Sequence, residues 1–96
     1  MFGLEDRHIK LILEILNKHA KNAKFYIFGS RARGDYSRYS DIDIAIDGAG
    51  LNSDILSKIN SEFDNSTMPY EVDVIDINSI SSDFKKMILN DLIELK

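Results

Sequence analysis

Asp41 to Asp47 reads DIDIAID, with isoleucine at every second position and aspartate or alanine between. A period of two is the period of a β-strand, whose successive side chains point to opposite faces. Ile42, Ile44 and Ile46 therefore share one face, which must be covered. Asp41 and Asp43, about 7 Å apart along the chain, project together from the other. This run commits the chain to a sheet with one apolar side and a pair of acids opposite.

The remaining segments supply that sheet with neighbours and cover. Leu4 to about Lys21 reads as a helix, with Ile9, Ile12, Leu13, Leu16 and Ala20 on one stripe. Glu5 and Asp6 lie in its first turn and Lys18, His19 and Lys21 in its last, as the helix dipole favours. Lys24 to Gly29 (KFYIFG) is apolar and aromatic, the mark of a strand covered on both faces. Leu51 to Phe63 carries Leu51, Ile55, Ile59 and Phe63 at helical spacing, and Asn65 to Pro69 reads as a turn. Glu71 to Ile77 (EVDVIDI) predicts a third strand. Ser81 to Leu95 predicts a closing helix with Phe84, Met87, Ile88, Leu92 and Leu95 facing inward. Three short strands among helices within 96 residues imply one α/β or α+β domain spanning 1–96.

Composition narrows the function. Hydrophobic residues at 44% and charged residues at 29% belong to a globular chain, not a disordered one. No apolar run approaches the roughly 20 residues of a membrane span, and MFGLEDRHIK lacks the apolar core of a signal peptide. With no cysteine there is no disulfide framework, thiolate metal site or cysteine nucleophile, and a cytoplasmic location is expected. A net charge of −4 argues against general nucleic-acid binding. Yet three of the four arginines, Arg31, Arg33 and Arg38, fall within eight residues, directly before Asp41 and Asp43.

That reversal of charge is where chemistry is expected. Two neighbouring carboxylates repel unless a cation lies between them, and a hard divalent ion with oxygen ligands, Mg²⁺ above all, meets the need. Asp73, between Val72 and Val74, can complete a three-carboxylate cluster if its strand lies beside the first. The plainer alternative is the solvated face of an edge strand. The preceding Gly29-Ser30-Arg31-Ala32-Arg33-Gly34 argues for the chemical reading. Glycine lets backbone approach a phosphate, a helix starting there offers free N–H groups, Ser30 a hydroxyl, and Arg31 or Arg33 a guanidinium fork. The G-x4-G spacing is not a P-loop, because Asp35-Tyr36 follows where Lys-Ser/Thr is required. Nor is Asp41 to Asp47 an EF-hand loop, since Ile44 and Ile46 are apolar and the sixth position is not glycine.

Gly29-Ser30, ten residues, then Asp41-Ile42-Asp43 resembles the G-S-x10-D-x-D signature of the DNA polymerase β-type nucleotidyltransferases. The surrounding IFGSRARGDYSRYSDIDIAI is similar to their minimal nucleotidyltransferase (MNT) branch, and EVDVIDI resembles the strand bearing the family's third carboxylate. The resemblance runs from Leu4 to Leu95. It implies a nucleotidyltransferase fold, a small mixed sheet flanked by helices, with ATP or another nucleoside triphosphate as donor and Mg²⁺ as cofactor. Asp41 and Asp43 would bind Mg²⁺; Asp73 would ligate a metal and orient or deprotonate the acceptor hydroxyl. Gly29 and Ser30 would hold donor phosphate with Arg33, the arginine of the family's arginine-glycine pair.

The resemblance also implies the antitoxin half of a HEPN/MNT pair, transferring AMP to a tyrosine of a HEPN-domain toxin. A small-molecule nucleotidyltransferase working with a partner subunit, and a catalytically silent binding antitoxin, are the alternatives. His8 and His19, about 16 Å apart on one helix, are too distant to share a metal and are expected to pack or face solvent. Tyr36 and Tyr39 flank the basic segment, where a loop tyrosine can stack on a base.

Overall fold

The alternating strand is built as its pattern requires, with its isoleucines fully buried. In the computed structural model, which describes residues 1–96, the elements are α1 (Asp6–His19), β1 (Lys24–Phe28), α2 (Gly29–Arg33), β2 (Ile42–Asp47), α3 (Ser53–Asp64), β3 (Val72–Asp76), α4 (Ser82–Leu89) and β4 (Ile93–Leu95). The strands form one mixed sheet in the order β3-β2-β1-β4. β1 is antiparallel to β2 and β4, whereas β2 and β3 run parallel. α3 provides the long crossover that a parallel pair needs.

One face of the sheet is thickly covered. Ile42, Ile44 and Ile46 join Phe25, Ile27 and Leu95 against Ile12, Ile15 and Leu16 of α1 and Ile59 and Phe63 of α3. The opposite face carries a smaller cluster of Phe28, Ala45, Ile77 and Ile88, with Tyr26, Ile75 and Leu92 at its margin. Alternation places Asp43 on the Ala45 side of β2 and Asp73 on the Ile75 side of β3. Both acids thus emerge on the thinly covered face, next to α4. His8 is buried with its ring edge-on to Tyr70, and His19 bonds Glu62 at 2.8 Å, so both histidines serve packing and the tie between α1 and α3.

The C-terminal third corrects the expected closing helix. α4 stops at Leu89, and the chain turns at Asn90 and Asp91, residues that compete with helical backbone for hydrogen bonds. It then returns as β4, pairing Ile93 with Ile27 and Leu95 with Phe25. The sheet therefore has four strands where three were expected, because β1 would otherwise present an open edge. Leu95 is inward, but from a strand. Met87 is 74% exposed rather than inward, and Phe84 lies at the surface edge-on to Phe28.

Candidate active site

The site begins where β1 ends. Phe28, its last residue, is in register with Asp43, and the chain passes directly into α2 at Gly29. Gly29 has a φ of +74°, a region that side-chain-bearing residues avoid, and a Cβ there would collide with the Asp43 carboxylate. Glycine is thus required twice: for the turn, and for the acid resting against it. Ser30 follows in the first turn of α2, and Gly34 closes the helix in the left-handed region, its N–H donating to the Ser30 carbonyl at 2.9 Å. The helix expected to start at this glycine is a short one of five residues.

The parallel pairing of β2 with β3 sets Asp43 directly opposite Asp73, on strands about 4.8 Å apart. Asp41 immediately precedes β2. Burial pushes the Asp43 carboxyl above the usual carboxylate range; the negative charges of Asp73 and then Asp41 push it further, with Arg33 opposing. None of the three acids enters an ion pair; the carboxylates that do are Glu5, Asp35, Glu62 and Asp91. The backbone brings the expected trio to one end of the sheet, but the side chains do not converge, and no three acidic or histidine groups are gathered closely enough to hold a metal ion. An uncompensated set of carboxylate oxygens suits a hard divalent cation, provided the side chains rotate toward one another.

Helical geometry separates the two arginines of α2. At about 100° per residue, positions two apart fall on nearly opposite sides. Arg31 turns inward and is 2% exposed. Its guanidinium donates to the carbonyls of Phe2 (2.9 Å), Ser40 (3.0 Å) and Arg38 (3.3 Å), between the rings of Tyr36 and Tyr70. Arg31 therefore holds the N-terminal segment, α2 and the 34–40 connection together and is not available to a ligand. Tyr36 is committed to the same cluster, and its ring lies over Gly3. Arg33 turns outward, donating from Nη1 to Asp91 at 3.0 Å and from Nε to Asp35 at 3.3 Å. Arg38 stacks on Tyr39 at 5.4 Å.

Beside the acids opens a cleft of about 540 Å³. Asp43 and Asp73 line it together with Phe28, Ile75 and Phe84, and Asp64 closes the α3 side. Sequence reasoning passed over Phe28, Phe84 and Asp64. Phe28 carried a usable signal, as the last strand residue before Gly29. The other two reach the cleft only through tertiary packing.

A glycine-started helical turn beneath a carboxylate, on a mixed sheet with α1 and α3 behind it, defines a nucleotidyltransferase. The chain belongs to the family described as polymerase beta, nucleotidyltransferase, whose model matches residues 10–96. Over 86 residues it is 28% identical to a Haemophilus influenzae protein named probable protein adenylyltransferase MntA, covering 88% of this chain and 75% of that one. A Methanocaldococcus jannaschii protein with a similarly qualified name, also a protein adenylyltransferase, is 38% identical over 86 residues, covering 88% of this chain and 89% of its own length. Among solved structures, a chain of a toxin–antitoxin complex with AMP-PNP superposes with a TM-score of 0.78 at 24% identity, covering 92% of this chain and 72% of its own. A chain from the complex of tri-AMPylated Shewanella oneidensis HEPN toxin with MNT antitoxin gives 0.75 at 20% identity, covering 97% and 72%. At these identities the likeness is one of fold.

Proposed function

We infer that the chain transfers AMP from ATP, with Mg²⁺, to a side-chain hydroxyl of a partner protein, a tyrosine of a HEPN-type toxin, and so acts as an antitoxin. The observation that carries this reading is the register pairing of Asp43 with Asp73 directly over Gly29. It places uncompensated acids beside a backbone turn able to receive phosphate. Two relatives named as protein adenylyltransferases, and solved structures of toxin–antitoxin complexes with the same fold, support the choice of donor and acceptor.

In this reading Ser30 and the first N–H groups of α2 bind donor phosphate at Gly29, and Arg33 adds a charged contact. Asp41, Asp43 and Asp73 would hold Mg²⁺, which supplies neutralisation of the charge developing on the transferring phosphoryl group. Asp73, which lines the cleft beside Asp43, orients the acceptor hydroxyl and takes its proton. The new bond joins the hydroxyl oxygen to the α-phosphorus, the bond from that phosphorus to the bridging oxygen breaks, and pyrophosphate leaves.

The test is intact-mass spectrometry of a HEPN-type partner after incubation with ATP, Mg²⁺ and this protein. Stepwise addition of AMP to the partner, lost with Asp43→Asn, is expected. An unmodified partner alongside ready adenylylation of a small hydroxyl compound would move the acceptor to small molecules. A tight complex with no modification of either would leave binding alone as the function.

A further inference from the structure

We propose that Asp91 is a positioning residue of the active site, holding the Arg33 guanidinium in place one helical turn beyond Gly29 for the donor triphosphate. The proposal rests on the donor reading above and concerns a residue in the turn between α4 and β4, 58 positions from its partner in sequence.

Arg33 sits one helical turn beyond Gly29, and its positive charge is felt by the Asp43 carboxylate. An arginine at the surface loses binding energy to its own freedom, because ordering a long side chain costs affinity at the moment of binding. Here that ordering is already in place. Nη1 donates to Asp91 at 3.0 Å and Nε to Asp35 at 3.3 Å, which leaves Nη2 uncommitted. The two acceptors are not equivalent. The Asp91 side chain is 18% exposed and that of Asp35 is 64% exposed, so only Asp91 offers a sheltered, fixed anchor. The anchor is fixed in turn by the fold: the Asp91 N–H donates to the Ile88 carbonyl at 2.9 Å, and β4 follows immediately. The departure from a continuous closing helix is thus what brings Asp91 to Arg33.

The experiment is a double-mutant cycle on equilibrium binding of AMP-PNP with Mg²⁺, with Tm measured for every variant. Asp91→Ala is expected to weaken binding about three- to tenfold, the cost of re-ordering one long side chain. Arg33→Ala should weaken it more, and Asp91→Ala in the Arg33→Ala background should add nothing. Asp91→Asn, which keeps an acceptor oxygen, should recover part of the loss, and Asp35→Asn should stay within about twofold of wild type. Affinity unchanged in Asp91→Ala, tighter binding there, or a loss that persists without Arg33 would each overturn the proposal while leaving the donor reading intact. A lowered Tm with unchanged affinity would give Asp91 a purely structural role and overturn it as well. Wild type that fails to bind AMP-PNP would overturn the donor reading and this proposal together.

Discussion

Asp43 is held half-buried between two other acids, and its ionised form is disfavoured in the folded chain. A carboxyl whose folded pKa is raised contributes stability at low pH that is lost as pH rises through the raised value. In metal-free buffer at neutral pH, Asp43→Asn should therefore raise Tm. The gain should shrink as pH falls through the raised Asp43 value and be gone once pH drops below the ordinary carboxylate range, where both proteins are neutral at this position. Thermal melts across pH check both the sign and the window. Gly29→Ala should behave oppositely, costing about 1–3 kcal/mol for an unfavourable φ and displacing the Asp43 carboxylate from its place. At this scale the placement of Gly29 after the first strand, and of Asp41, Asp43 and Asp73 at the starts of later strands, was legible in spacing and alternation, whereas the helical setting of Ser30 was not. Arg33 was separated from Arg31 by the family resemblance alone, not by anything in spacing or alternation. Only a helical turn puts them on opposite sides, and that turn is five residues long.

Elements were legible where their period was long and clean. α1, β2 and α3 lie within a residue or two of their expected limits. The last segment failed because apolar residues spaced at Phe84, Ile88, Leu92 and Leu95 satisfy a helix, while a free edge on β1 competes for the same residues as a strand. The consequence is measurable. Met87→Ala should change stability by no more than about 0.5 kcal/mol, as expected of an exposed site. Arg31→Met should cost about 3 kcal/mol or more, because it leaves the Phe2, Arg38 and Ser40 carbonyls without their charged donor. Arg31→Lys should rescue little, since an ammonium cannot reproduce the fork that spans three segments. Chemical denaturation of the three variants gives the comparison directly.

For the molecule as a whole, binding of donor and stability are linked. A ligand that binds only the folded chain stabilises it by about 2.7 kcal/mol at a hundred times its dissociation constant. ATP with Mg²⁺ should therefore raise Tm, a chelator should abolish most of the shift, and Ser30→Ala should reduce it by about 1 kcal/mol for one lost hydrogen bond. The sheet order adds a mechanical asymmetry. β1, which leads into Gly29, and β2, which carries Asp43, are flanked on both sides, whereas β3, which carries Asp73, has a neighbour only in β2. Amides of inner strands exchange with deuterium through global opening, and those of an edge strand through local fraying. Asp73 thus rides on an edge strand that borders the cleft, whose amides should exchange before those of β1 and β2, while the Gly29–Asp43 contact stays locked to the core.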